Sequence, residues 1–251
     1  MPTPIALQLY TIREAMNQDF EGAVRKVAEM GYAGVETAGF PGTTPAKAAA
    51  LFNSLGLEVT SAHAPLPLGD KHDEVIGQMA ALGCTRLVNP AMPRDYYQDK
   101  DSVLRLCELF NNGQEECAAN GMALGIHNHW WEFQPVNGVR PYDLFLEHLH
   151  PDIFFEIDTY WVKTAGADPN QVIADLGERA PLLHIKDGPA NTEEAMVAIG
   201  DGVMDFGQIE KASGGHADWW IVELDRCDTD MLTAVARSHD YLVNKGFSSG
   251  A

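Results

Sequence analysis

Four times in the first half of the chain an amphipathic stretch ends at a glycine and a short apolar run follows. The stretches close at Gly31, Gly56, Gly83 and Gly121, and the runs lead into Val35, Val59, Val88 and Ile126. Glycine just after a helix accepts the left-handed conformation that closes it. A short apolar run after it fits a strand buried on both faces, as parallel sheets require. The pattern predicts eight strands, at 5–9, 33–37, 57–62, 85–89, 122–127, 153–158, 182–186 and 219–224. Helical periodicity fills the gaps. Over 20–30 it places Phe20, Ala23, Val24, Val27 and Met30 on one face, and 103–119 and 229–242 carry similar stripes. Thr44-Pro45, Asp168-Pro169 and Thr192–Glu194 read as helix starts. Eight strands alternating with helices in 251 residues predict an α/β chain folded as one (β/α)8 TIM barrel over 1–251. A doubly wound open sheet would place a glycine-rich phosphate loop after its first strand, where this chain has Gln8-Leu-Tyr-Thr-Ile-Arg13. Phe247–Ala251 reads as a frayed end.

Barrels of this kind keep their chemistry at the carboxyl ends of the strands. Read in order, those ends are Gln8, Glu36, His63, Asn89, His127, Asp158, His184 and Glu223. Each is polar and each follows an apolar run, which packing alone does not ask for eight times. The densest segment is Gly125-Ile-His-Asn-His-Trp-Trp-Glu-Phe133. Three others follow it: Phe154-Phe-Glu-Ile-Asp-Thr159, Leu182-Leu-His-Ile-Lys-Asp187 and Trp219-Trp-Ile-Val-Glu-Leu-Asp225. A Glu, Asp, His and Glu set from successive strands makes a cage for a divalent metal ion. Mixed carboxylate and imidazole donors suit Mn2+, Co2+, Mg2+, Fe2+ or Zn2+. The alternative is a hydrogen-bonded polar cluster without metal. No cysteine stands at these ends, which disfavours a zinc–thiolate site, and no G-x-S-x-G elbow supports a serine nucleophile.

These residues resemble the xylose isomerase-like TIM-barrel superfamily. That group of sugar phosphate isomerases and epimerases also includes endonuclease IV, inosose dehydratase and ketose 3-epimerases. The resemblance runs from Ala6-Leu-Gln-Leu-Tyr-Thr-Ile-Arg13 and Met30-Gly-Tyr-Ala-Gly-Val-Glu36 through His127-Asn-His-Trp-Trp-Glu132, Asp158-Thr159 and His184-Ile-Lys-Asp187. It continues through Gly200-Asp-Gly-Val-Met-Asp-Phe206 to Val222-Glu223. The 26-residue step from Asp158 to His184 matches the family's spacing between metal Asp and metal His. The resemblance implies a metal site of Glu132, Asp158, His184 and Glu223. Family members commonly place the first Glu where this chain has His127, so Glu132 is assigned as reaching back and His127 is the fallback ligand. Trp161 stands where many members have a histidine, which argues against a three-metal DNA-repair enzyme.

The implied chemistry is metal-dependent isomerisation or epimerisation of a sugar or keto-sugar through a metal-stabilised enediolate. The alternative is a lyase, dehydratase or hydrolase acting on a keto-sugar or inosose, and a third reading is a barrel that only binds a ligand. Glu132 and Glu223 are the candidates for proton transfer. Lys186, on the same side of its strand as His184, is placed to neutralise an oxyanion. His63, His127 and Glu36 are candidates for binding substrate hydroxyls, and Trp130, Trp131 and Trp161 for an apolar platform under a sugar face.

Composition narrows the partners. With 36 acidic against 17 basic residues the net charge is −19, which disfavours a nucleic-acid partner. The absence of an Arg/Lys cluster leans to an unphosphorylated sugar or cyclitol. No run of 18 apolar residues suits a membrane span. The start lacks the basic and apolar regions of a signal peptide, and four scattered cysteines fit a reduced, cytoplasmic protein. Assembly into a homo-oligomer is left open.

Overall fold

The computed structural model describes residues 2–249. Its main strands are β1 (Thr3–Gln8), β2 (Gly34–Thr37), β3 (Glu58–His63), β4 (Arg86–Asn89), β5 (Ala123–His127), β6 (Phe154–Asp158), β7 (Leu182–Ile185) and β8 (Trp219–Val222). They pair in parallel in that order, and β1 pairs with both β2 and β8, so the sheet closes into a barrel. Helices pack outside it. Each predicted strand lies within two residues of an observed one at both ends.

Local chemistry explains the alternation. Gly31, Gly56, Gly83 and Gly121 all adopt positive φ after their helices. Asp19, Thr44, Asp99, Asp168, Asp205 and Asp230 cap helix N-termini through their side chains. Two expectations are corrected. Thr192–Glu194 starts no helix, because Asn191 Oδ1 accepts the backbone N–H groups of Glu193 and Glu194 and closes a turn instead. Ser248–Ser249 is a short strand, β9, paired in parallel with Thr3 and Pro4; Gly250 and Ala251 lie outside the described residues. No described helix is long and apolar enough to cross a membrane.

The barrel interior is graded. Its lower layers are apolar: Ala6, Val88, Phe154, Leu182, Trp219 and Ile221 pack together, with Ala33 and Ala123 against them. Two glycines make room for the aromatic rings. A Cβ on Gly125 would stand 2.2 Å from the Phe154 ring, and one on Gly34 would stand 3.0 Å from the Trp219 ring. Moving two residues along each strand keeps the side chain on the same face. The step up from Ala6, Gly34, Gly125, Phe154, Leu182 and Ile221 therefore brings Gln8, Glu36, His127, Glu156, His184 and Glu223 inward.

Candidate functional site

The inward positions above the apolar floor form a buried polar ring. Gln8 Nε2 donates to Glu36 Oε2 at 2.6 Å, and Ser61 Oγ donates to Glu36 Oε1 at 2.6 Å. Glu156 Oε1 lies 2.7 Å from His63 Nε2, 3.1 Å from His127 Nδ1 and 2.9 Å from His184 Nε2. His184 Nε2 also meets Glu36 Oε2 at 2.7 Å, while its Nδ1 meets Glu223 Oε2 at 2.8 Å. His63 stacks on His184 with ring centroids 5.5 Å apart. Glu36, Glu156 and His184 have no exposed surface.

One step higher stand Asp158, Lys186 and Glu223. Lys186 Nζ lies 2.9 Å from Asp158 Oδ2, 2.7 Å from Glu223 Oε2 and 2.6 Å from Asp225 Oδ2. Asp158 is held by its own backbone: its N–H donates to Asn128 Oδ1 at 2.9 Å, and its Oδ1 accepts the Trp161 N–H at 2.8 Å. Ligand atoms of His127, Asp158, His184 and Glu223 all lie within 4.8 Å of one another. A second such group, His63, His127, Glu156 and His184, shares two of its members.

Charge in this ring is set by burial against close partners. Burial opposes charging of His184 and Lys186, but the surrounding carboxylates outweigh it and hold both cations well above their ordinary ranges. Burial would raise Glu223, yet Lys186 and His184 pull it well below its ordinary value. Glu156 is likewise ionised by His184 and His63 against the pull of burial. Burial, with the neighbouring His184 charge, pushes His127 down to about 3, so its imidazole is neutral at physiological pH. Burial pushes Asp158 up to about 6 despite Lys186.

Asp158, His184 and Glu223 thus come together as the sequence predicts, and His127, the fallback ligand, completes the group. Lys186 joins them. Glu132 does not. Its Oε2 accepts the His129 N–H at 2.8 Å, stapling the turn that follows β5, and it lines a small cavity between Tyr97 and Phe110 on one side and His127 and Asn128 on the other. Five residues beyond a strand end, the chain has already turned outward. Glu36 does not reach the rim: Gln8, Ser61 and His184 take its carboxylate below it. His63 sits beside it, against Glu156.

Trp161 is the platform residue nearest this group, with Lys186 Nζ 5.3 Å from its ring centroid. Trp130 packs 4.9 Å from Trp161, whereas Trp131 stacks on His129 at 4.1 Å. The neighbouring tryptophans meet edge to face, with ring centroids 4.6 Å apart.

Sequence reasoning passed over Glu156 and Asp225. The signal for Glu156 was present: it lies two residues before Asp158 on one strand, so both carboxylates face inward. The glycine loop at 200–202 also finds its reason. Asp187 accepts the N–H groups of Gly188, Gly200, Gly202 and Met204 at 2.9–3.1 Å, and a Cβ on Gly202 would stand 2.2 Å from Asp187 Oδ1.

Residues 24–242 match the sequence pattern of the xylose isomerase-like TIM barrel. The chain belongs to that family. Among solved structures, this xylose isomerase-like barrel is similar to a sugar phosphate isomerase/epimerase from Parabacteroides distasonis. The two share 26% identity over 99% of this chain and 96% of that one, with a TM-score of 0.84. An L-ribulose 3-epimerase is 17% identical over 98% of this chain and 94% of that one, with a TM-score of 0.71. A probable 3-DHS dehydratase from Bacillus anthracis is 14% identical over 97% of this chain and all of that one, with a TM-score of 0.77. These last two share the fold. Comparison with curated proteins gave no match.

Proposed function

We propose that this xylose isomerase-like barrel is a divalent-metal-dependent isomerase or epimerase of a sugar or keto-sugar. The observation that carries the reading is the convergence of His127, Asp158, His184 and Glu223 at the carboxyl end of the barrel. The donor set fits a divalent ion. Asp158 Oδ2 is buried with the Lys186 ammonium 2.9 Å away, and His127 Nε2 faces the same oxygen across 3.8 Å, too far for a hydrogen bond. Two donors each about 2.1 Å from one tetrahedral ion stand about 3.4 Å apart, so the pair would close by a few tenths of an ångström around it. One nitrogen pair with two carboxylates suits Mn2+, Co2+, Fe2+ or Zn2+, and Mg2+ less well.

A bound ion of this kind supplies Lewis-acid polarisation of a carbonyl and its neighbouring hydroxyl. The chain's own residues do the rest. Glu223 Oε2 is occupied by His184 and Lys186; Oε1 is the oxygen left to take a proton from the carbon beside the carbonyl. Lys186 places a fixed positive charge beside Asp158 and Glu223, where negative charge develops on the substrate oxygen. Trp161 offers a flat apolar surface next to that charge. Lys186 is already shared by three carboxylates, which supports a neutral sugar or cyclitol over a phosphorylated one. Glu132 lies outside the group of His127, Asp158, His184 and Glu223 and holds the loop through the His129 N–H, which leaves Glu223 as the better-placed base.

The test is exchange of carbon-bound hydrogen into a panel of ketoses in D2O with added Mn2+. Exchange with conversion to an isomer supports the reading. A new enone absorbance would identify a dehydratase, and no exchange with any neutral or phosphorylated ketose would exclude both.

A further inference from the structure

We propose that Glu156 is a positioning residue that fixes the tautomer of His127, so that the Nε2 lone pair faces Asp158 and the ion site. The inference rests on the reading that His127, Asp158, His184 and Glu223 hold a divalent ion. His127 and Glu156 are direct partners in the register of β5 and β6, and both face inward. An ionised carboxylate oxygen can only accept, so a ring nitrogen within hydrogen-bond distance of it must carry the hydrogen. His127 Nδ1 lies 3.1 Å from Glu156 Oε1, which makes it the N–H. The lone pair then belongs to Nε2, the atom that looks across 3.8 Å at Asp158 Oδ2. Without this acceptor a neutral imidazole favours hydrogen on Nε2, and a hydrogen there would point at the ion.

The same logic extends to His184. Its Nε2 lies 2.7 Å from Glu36 Oε2 and 2.9 Å from Glu156 Oε1, so that nitrogen is also a donor. Nδ1, which shares its proton with Glu223 Oε2, is the nitrogen that would hold an ion once that proton is released to solvent. Metal-binding imidazoles commonly owe their orientation to a carboxylate behind them. Here the backing is built into the barrel one layer below. It also accounts for the lower group of His63, His127, Glu156 and His184: the three ring nitrogens already stand at hydrogen-bond distances from one oxygen, Glu156 Oε1.

Two-bond 1H–15N spectra of the metal-free, histidine-labelled protein, with His127→Asn for assignment, read the tautomer directly. The expected result is hydrogen on His127 Nδ1 in the unmodified chain. Hydrogen on Nε2 there would overturn the proposal without any variant. Glu156→Leu should move it to Nε2 and weaken Co2+ binding, followed by its visible absorbance, by about 10–100-fold. Glu156→Gln keeps an acceptor oxygen and should recover most of both. An unchanged tautomer and unchanged Co2+ affinity in Glu156→Leu would overturn it, as would two Co2+ per unmodified chain with one lost in that variant. Asp158→Asn separates the two claims. If it binds Co2+ normally, the ion-site reading fails, whereas the tautomer result stands or falls by itself.

Discussion

Glu156 and Asp158 stand two residues apart on β6, yet their carboxylates live differently. Glu156 Oε1 is surrounded by three imidazole nitrogens, whereas Asp158 Oδ2 meets the Lys186 ammonium at 2.9 Å and faces His127 Nε2 at 3.8 Å. Each carboxylate keeps one buried oxygen without a hydrogen bond, Glu156 Oε2 and Asp158 Oδ2, and in Asp158 that oxygen is available on the side where His127 Nε2 stands.

That availability makes Asp158 the cleanest site to remove. Asp158→Asn should lose Mn2+ affinity by at least about 100-fold, while circular dichroism keeps the barrel signal, since the apolar floor does not depend on this residue. Isothermal titration with Mn2+ and a thermal melt check both halves. Unfolding of the variant would make the carboxylate structural.

Glu132→Gln should leave Mn2+ affinity unchanged and alter stability with pH. Burial pushes the Glu132 carboxyl up to about 7 from 4.5. The folded state therefore holds a proton that the unfolded state has released. This favours folding at low pH, and the advantage is lost as pH rises from about 4.5 to 7. The amide has no such proton, so the variant should gain on the unmodified chain above pH 7, by about 3 kcal/mol at most. Urea unfolding at pH 5 and pH 8 measures it. A large drop in Mn2+ affinity would restore Glu132 as a ligand.

Lys186→Met removes the ammonium shared by Asp158, Glu223 and Asp225. Breaking a buried ionic group by deleting one partner costs about 3–5 kcal/mol. Added Mn2+ should raise the melting temperature of this variant more than that of the unmodified chain, because the ion replaces part of the lost charge. Turnover should stay low, by about 100-fold, even when saturated with ion. Full turnover in the Mn2+-saturated variant would remove Lys186 from the chemistry.

Trp161→Ala should raise KM for the active sugar by about 10-fold or more with a smaller change in kcat, and Trp161→Phe should restore much of it, as a stacking surface requires. A change confined to kcat, with KM constant, would instead mean that the ring acts by holding Lys186.

The barrel was legible because its signals are local. Helix-closing glycines at 31, 56, 83 and 121 and apolar runs after them repeat at short range. Asp158, His184 and Glu223 were legible because each ends or follows a strand. The place of Glu132 was not legible, because nothing in His127-Asn-His-Trp-Trp-Glu132 tells which side of the sheet a loop carboxylate will choose. The turn is settled by the His129 N–H and by packing with Tyr97 from another part of the chain. Glu156 could be placed on the inner face from its spacing to Asp158, but its role could not be read. It sits inside an apolar strand, and its value depends on histidines supplied by β3, β5 and β7.

Asp187 has a dynamic consequence. Its single carboxylate gathers amides from residue 188 and from 200–204, immediately after the strand that carries His184. A surface loop usually opens by itself, at low free energy. This one is tied into the cooperative unit of β7, so the amides of Gly200, Gly202 and Met204 should resist hydrogen–deuterium exchange as a core strand does. On that side the mouth of the barrel is a fixed wall rather than a flap.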